Sequence, residues 1–205
     1  MSKVKKASKA AERTEAQKER ILAAAQSCFV ESGFYAASMA TIAETAGMSA
    51  GLIYRYFENK NAIILAIIEQ QLTVARRRIR ELHSSENLAK RIVDYFDEQE
   101  PGDDNSMNTA LYQEISAQST RDPQIAEALR RYDSTVCSEL GDWLRRSREE
   151  GGCGLPEAIV PTRALILVCL IEGLKLRGPR GPAPDRHMLR KVLDELLNSL
   201  VTPPA

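Results

Sequence analysis

The feature that most constrains the fold is a pair of helix starts separated by one glycine, between Ser38 and Ser49. Serine favours the N-cap position because its short side chain accepts a hydrogen bond from a free backbone N–H of the first turn. Gly47 lies between the two serines and supplies the positive φ angle that a sharp turn between helices requires. The spacing predicts a helix-turn-helix over residues 38–57, with its first helix running from Ser38 through Ala46.

The second helix of this motif, predicted for Ser49–Phe57, has one apolar face and one face left for a partner. At about 100° per residue, Ile53 and Phe57 meet the first helix, and Met48 fills the angle between the two helices. The side chains that project away from this core are those of Gly51, Leu52, Tyr54 and Arg55. An exposed face of this kind predicts a contact surface.

The rest of the chain is predicted to be helical as well. Apolar spacing predicts a helix over Glu15–Ser32, with Thr14 as its cap and Gly33 as its end, preceded by a basic flexible arm over residues 1–14. Six further helices are predicted over Lys60–His83, Ser85–Gln99, Met107–Thr120, Pro123–Glu150 with Asp122 as cap, Pro161–Arg177 and Asp185–Val201. We find no strand pattern, and aromatic residues are only 5% of the chain. The predicted fold is all-α, with about nine helices: three small ones at the front and a larger bundle behind.

The net charge of zero hides an uneven distribution along the chain. Residues 1–80 carry 13 Lys and Arg against 7 Asp and Glu, a charge of +6, and the remainder carries 15 against 21, a charge of −6. A basic front segment indicates an anionic partner, and nucleic acid is one such partner. A basic tail that only keeps the chain soluble is the alternative.

The cysteines point to neither a metal site nor a disulfide scaffold. Cys28, Cys137, Cys153 and Cys169 form no Cys-x-x-Cys pair and have no histidine nearby, so reduced thiols in a cytoplasmic protein are predicted. Cys153 lies among glycines, where it is either an inert loop residue or an exposed redox thiol.

Other classes of protein are disfavoured by what the sequence lacks. The N-terminus has no apolar signal region, and the longest apolar run, Ala164–Ile171, is too short for a membrane span. With 2 histidines and no nucleophile–base pattern, we predict neither an enzyme nor a cofactor or metal.

Three stretches carry a resemblance to a known family. The helix pattern ILAAAQSCFVESGF, the turn IAETAGMS and the segment YRYFENK together resemble the DNA-binding domain of the TetR family of bacterial transcription regulators. The later segment LIEGLKLRG is similar to the end of helix 8 in choline-responsive and related members. The resemblance implies a DNA-binding domain over residues 15–75 and a helical regulatory and dimerisation domain over residues 76–205.

The resemblance also implies which residues contact double-stranded DNA. It places Tyr54, Arg55 and Tyr56 of the recognition helix near the major groove and Lys60 on the phosphate backbone. Tyrosine and lysine can bond phosphate oxygens, and arginine can bond guanine O6 and N7 together, worth ~1–3 kcal/mol of discrimination. The helix start at Ser38, with Thr41, suits another phosphate. Gly51 has no side chain and allows a close approach to the duplex. The full predicted set of DNA contacts is Ser38, Thr41, Ser49, Ala50, Gly51, Tyr54, Arg55, Tyr56 and Lys60.

Three positions leave more than one interpretation open. Ala40 stands where the family often carries a polar or charged residue, so one phosphate contact is missing from the expected set. Leu52 either packs against the first helix or contacts a thymine methyl group. Tyr54 and Tyr56 are either DNA contacts or ordinary aromatic residues at the rim of a core.

The last two long helices carry more apolar residues than one buried stripe needs. Residues 165–171 are apolar on every side of their helix, which predicts burial against its own domain and against a second copy. The predicted dimerisation residues are Leu167, Ile171, Leu174, Leu189, Leu193, Leu196 and Leu200. A two-fold dimer would place two recognition helices about one DNA turn apart, on a palindromic operator. A central helix buried in a monomer is the alternative.

A regulator whose DNA binding is switched by a ligand also needs a site for that ligand. The candidate ligand-binding residues are Tyr95, Phe96, Met107, Tyr112, Tyr132, Trp143 and Cys169, which either line an apolar cavity or fill it. We therefore expect a homodimeric repressor released by a small apolar or amphipathic effector. The competing hypotheses are a helical module that docks another protein, and an activator in place of a repressor.

Overall fold

The computed structural model describes residues 2–82, 85–97, 109–177 and 185–203. Within these ranges the chain forms nine helices and no strand, so the predicted all-α class is confirmed. The helices are α1 (Ser2–Ala36), α2 (Met39–Thr45), α3 (Ala50–Ile53), α4 (Lys60–Arg80), α5 (Ser85–Asp97), α6 (Thr109–Ser119), α7 (Pro123–Arg145), α8 (Val160–Arg177) and α9 (Arg186–Val201).

Helix α1 begins much earlier than the sequence pattern predicts. It starts at Ser2 rather than Glu15, so Thr14 is not its cap and the segment predicted as a flexible arm is helical. Alanine and lysine make up seven of the residues 2–14, and both are strong helix formers, so helix propensity favours a helix in this segment. Gly33, with φ of 77° and ψ of 162°, interrupts the helix as predicted, but helical structure continues to Ala36.

The boundaries of the later helices are close to prediction except at the end of α7. Asp122 caps α7, since its Oδ1 accepts hydrogen bonds from the backbone N–H of Gln124 at 2.8 Å and Ile125 at 3.2 Å. The helix ends at Arg145 and not near Glu150. Its last carbonyl groups bond the returning chain, with Leu155 N donating to Leu144 O at 2.9 Å, so these bonds replace a further helical turn.

By compactness the chain divides into two units, the first of which contains Met1–Ile68 and Ala110–Ala126. Here α2 contacts both α1 and α3. Its buried side chains are mainly large and apolar: Ile21, Phe29, Phe34, Ile42, Ile53, Phe57, Ile63, Ile64, Ile67, Ile68, Leu111, Ile115 and Ile125. The rings of Phe29 and Phe34 lie 5.4 Å apart. This packing fixes the angles of the three front helices.

The second unit contains Glu69–Thr109 and Glu127–Ala205. Its core surrounds Trp143, which is fully buried and whose Nε1 donates a hydrogen bond to Gly151 O at 3.2 Å. Helix α5 packs against α9 in this unit. Burial of one indole and a set of leucines therefore supplies its main stabilisation.

Two glycines of the helix-turn-helix allow a test of the turn. We expect Gly47→Ala to lower the free energy of unfolding by about 1–2 kcal/mol, because Gly47 has φ of +61° and a Cβ there would lie 2.6 Å from Arg20 Nη2. Gly51→Ala is the matched control, since a Cβ there has no atom within 4 Å, and its change should stay within ~0.5 kcal/mol. Urea unfolding measures both, and equal effects would contradict the turn geometry.

Candidate nucleic-acid interface

The first helix of the motif is held at its start by a hydroxyl pair. Ser38 is the N-cap of α2, and its Oγ accepts a hydrogen bond from Thr41 N at 3.0 Å. The two hydroxyl oxygens, Ser38 Oγ and Thr41 Oγ1, lie 2.8 Å apart. Both residues are exposed, and Ala46 is the C-cap. The predicted helix and its cap are confirmed, and the cap bond leaves the hydroxyl pair at the surface.

The second helix of the motif is shorter than predicted. Helix α3 is a single turn, Ala50–Ile53, and Ser49 at its N-cap makes no side-chain cap bond. The chain continues in turns, with Tyr56 N donating to Ile53 O at 3.0 Å. The prediction of a regular helix to Phe57 is wrong, because a helix of this length has little stability of its own and follows the packing around it.

The apolar and exposed faces of this segment lie as the sequence predicts. Ile53 and Phe57 are buried, whereas Tyr54 is 56% exposed. Arg55 is exposed, and within the described residues its guanidinium makes no hydrogen bond or ion pair. A free guanidinium beside an exposed phenol is the donor set that reads base edges and phosphates.

Most of the predicted DNA contacts share this exposure. The exposed members of the set are Ser38, Thr41, Ser49, Ala50, Gly51, Tyr54 and Arg55. Tyr56 and Lys60 are half-buried, as is Leu52, while Ala40 is exposed. Partial burial of Leu52 fits packing against neighbouring side chains and leaves part of it accessible.

Lys60 has a structural partner that the sequence did not indicate. Its Nζ donates to Phe34 O at 2.6 Å and Tyr35 O at 3.3 Å, and it lies 4.5 Å from the centre of the Phe34 ring. Burial lowers the pKa of Lys60 from its usual value. An ammonium has three donors, and these two carbonyls at the end of α1 take two of them. Its first role is therefore to hold the end of α1.

The backbone of Phe34 is also held at its N–H by a residue far away in the sequence. Phe34 N, which follows the break at Gly33, donates to Glu114 Oε2 at 3.0 Å. Asn61 Nδ2 donates to Asp122 Oδ2 in the same unit. Sequence reasoning missed Glu114 and Asn61, because nothing local marks a polar side chain whose partner is a backbone group or a side chain of another helix.

The outer surfaces of α8 and α9 carry exposed apolar side chains. Leu165 and Ile166 of α8, with Met188, Val192 and Leu196 of α9, are between 39% and 57% exposed. Cys169 is also exposed and shares the α8 face with Leu165. No other part of the described chain covers these side chains fully.

Of the predicted dimerisation residues, only Leu196 belongs to this surface among the residues described. Leu167, Leu193 and Leu200 are buried in the core of their own unit, so assigning them to contact a second copy is wrong. Ile171, Leu174 and Leu189 are partly buried against the same core, and Leu196 alone of the predicted set is an exposed large apolar residue among those described. Hydrophobic periodicity identifies the apolar faces of a helix, but it does not show which of them packs into the core.

The described members of the predicted ligand set differ in their surroundings. Trp143 lies in the core of the second unit, and Cys169 is exposed. Tyr112 is half-buried on α6 in the first unit, and Tyr132 is half-buried on α7 in the second. Met107 lies outside the described residues, as do the side chains of Tyr95 and Phe96.

Cys153 has the environment of an inert thiol. It is buried, and desolvation raises its pKa to about 11. Compared with an ordinary value of 9.0, this lowers the thiolate fraction at pH 8 by about 100-fold.

We expect iodoacetamide to alkylate Cys153 at pH 8 at least ~100-fold more slowly in the native protein than in urea, because only the thiolate reacts and burial also blocks access. Peptide mass spectrometry after timed quenching measures the rate at this site. The unfolded protein is the control, since all four thiols are then equivalent. Fast native alkylation would favour the redox interpretation.

Comparisons with known families match both parts of the chain. Residues 21–67 match the model described as bacterial regulatory proteins, tetR family, and residues 88–202 match that of the BetI-type transcriptional repressor, C-terminal. The HTH-type transcriptional regulator UidR of Escherichia coli is 34% identical over 144 residues, which cover 67% of this chain and 70% of UidR. BetI of Ectopseudomonas mendocina is 30% identical over 191 residues, covering 89% and 92%.

A solved structure is similar over most of the chain. Salmonella enterica GusR has a TM-score of 0.72 and 26% identity, covering 91% of this chain and 95% of GusR. Among the described helices, none is both long and apolar enough to cross a membrane. The described side chains include no group of three or more His, Cys, Asp or Glu that could hold a metal ion.

Proposed function

Since the chain belongs to the TetR family of bacterial transcription regulators, which are not enzymes, we propose that it is a homodimeric repressor of a palindromic operator. The observation that carries the proposal is the exposed pair Tyr54 and Arg55 over the buried pair Ile53 and Phe57. Side chains that pack the motif are turned inward and those that can reach a duplex are turned outward. We place its action in the cytoplasm.

We assign DNA binding to residues 15–75 and regulation with dimerisation to residues 76–205. In the DNA-binding part, Arg55 reads guanine, and Tyr54, Tyr56 and the hydroxyls of Ser38 and Thr41 bond phosphates. Ser49, Ala50 and Gly51 form the start of α3, where small side chains let the backbone approach the duplex. Lys60 adds a phosphate contact through its remaining donor.

The exposed face of α8 and α9 supports a dimer. Isolated exposed apolar residues are normal on a monomer, but here Leu165, Ile166 and Cys169 lie on one helix and Val192 and Leu196 on the next, and Arg163 Nη1 of α8 donates to Ser199 O of α9 at 3.1 Å. A two-fold axis through such a face makes it self-complementary and buries it against its copy. Two copies of Arg55 then face two half-sites, which requires a palindrome.

We propose that release from DNA is caused by a small apolar or amphipathic effector bound in the helical part, where half-buried aromatic residues such as Tyr132 supply lining. An effector that binds the form unable to span two half-sites shifts the population away from DNA. Inverting a 99:1 equilibrium takes a differential affinity of about 10⁴-fold.

The test is selection of bound duplexes from a random pool with the full chain, followed by a screen for compounds that release the selected DNA. We expect an inverted repeat whose half-site centres lie about one helical turn apart. Recovery of no sequence, with no salt-dependent binding to duplex DNA, would favour the protein-docking alternative. A promoter–reporter assay with the selected site distinguishes repression from activation.

A further inference from the structure

One cation outside the helix-turn-helix contacts its turn. Arg20 lies on α1 and is exposed, and its Nη2 donates a hydrogen bond to Gly47 O at 3.3 Å. The two residues are 27 positions apart, so this bond ties the turn between α2 and α3 to a different helix. A Cβ on Gly47 would lie 2.6 Å from the same nitrogen, so the guanidinium lies directly against the turn.

The turn needs such support because the segment after it is short. Helix α3 is one turn, its N-cap Ser49 makes no side-chain cap bond, and Tyr54 follows its last residue. A single helical turn does not hold its own orientation, so the direction of Tyr54 and Arg55 depends on burial of Ile53 and Phe57 and on the path of the turn. Base readout requires donors held within roughly 0.5 Å of their target geometry.

We infer that Arg20 is a positioning residue for DNA recognition: by holding the Gly47 carbonyl against α1, it fixes the direction in which Arg55 is presented, without contacting DNA itself. This inference rests on the proposed DNA-binding function. A charged donor on a carbonyl is stronger than a neutral one, so a single guanidinium can fix the turn. The nearest lysine on the same helix, Lys18, pairs with Glu15 at 3.7 Å and has no such role.

The first experiment uses the free protein and needs no DNA. We expect Arg20→Ala to speed amide hydrogen exchange in the peptide that spans Gly47–Arg55, whereas Lys18→Ala, which removes the same charge from the same helix, leaves it unchanged. Exchange in the α8 peptide serves as an internal reference for global stability. Unchanged exchange of the turn in Arg20→Ala overturns the inference whatever the protein binds.

The second experiment measures affinity for the selected operator over a range of salt concentrations. We expect Arg20→Ala to weaken specific binding roughly tenfold with an unchanged slope of log K against log salt. In an Arg55→Ala background the same substitution should cost much less, because residues that act through one contact are not additive. A slope of log K against log salt that falls by about one per contact would make Arg20 a phosphate contact and overturn the inference. Fully additive effects of Arg20→Ala and Arg55→Ala would show that the two residues act independently, and would overturn it as well.

The two hypotheses fail in different ways. Wild-type protein that binds no duplex contradicts the proposed function, and the exchange experiment still decides whether Arg20 holds the turn. Wild-type protein that binds its operator while Arg20→Ala binds it equally well contradicts the inference and leaves the function intact.

Discussion

The double substitution Leu165→Glu and Val192→Glu is expected to convert the protein to monomers and to weaken operator binding by about 100- to 10,000-fold. Both side chains are more than half exposed in the single chain, so the charges are tolerated by the monomer. In a two-fold interface each carboxylate would be buried without a counter-charge, and symmetry applies the cost in both copies. Without dimerisation, the protein loses the affinity that it gains by binding two half-sites at once.

Sedimentation at several concentrations measures the mass, and DNA titration measures affinity on full and half operators. Ser138→Glu is the control for added negative charge, since it places a carboxylate at an exposed position of α7 in the same unit. We expect the double variant and wild type to bind an isolated half-site equally. A double variant that remains a dimer would show that another surface joins the copies.

The helix-turn-helix could be predicted from sequence because its determinants are local. The Ser38 cap bonds Thr41, three residues away, and the φ of Gly47 is set by the turn itself. The inward positions of Ile53 and Phe57 follow from spacing within one turn of chain. Short-range bonds leave a pattern that a single sequence displays.

Other features depended on contacts that sequence does not display. The partner of Phe34 N is Glu114, 80 positions away, and the carbonyl partner of Lys60 is on another helix. Apolar spacing does not separate the faces of residues 165–171, which are apolar on every side, and only packing shows that Leu167 faces the core while Leu165 does not. Apolar spacing does not reveal the start of α1, because helix propensity can extend a helix beyond its apolar stripe.

Arg55→Ala is expected to remove base preference at one position of each half-site and to weaken binding to the best operator by roughly 5- to 150-fold per half-site. The guanidinium is exposed and has no protein partner among the described residues, so its removal leaves the fold unchanged. Both half-sites lose the contact in a dimer, and the effects multiply when the sites are independent. Repeating the duplex selection with the variant shows which base position becomes random.

Two further variants separate readout from charge. Arg77→Ala removes an exposed arginine of α4 outside the motif, so base preference should be unchanged. Lys60→Ala should weaken binding to all sequences alike and reduce the salt dependence of binding, because it removes a phosphate contact. It should also lower the free energy of unfolding, because Phe34 O and Tyr35 O lose a charged donor. If Arg55→Ala weakens every sequence equally and reduces the salt slope as a phosphate contact would, Arg55 does not read bases. The exposed side chains of Tyr54 and Arg55 would then serve affinity alone, and specificity would have to come from the shape of the duplex.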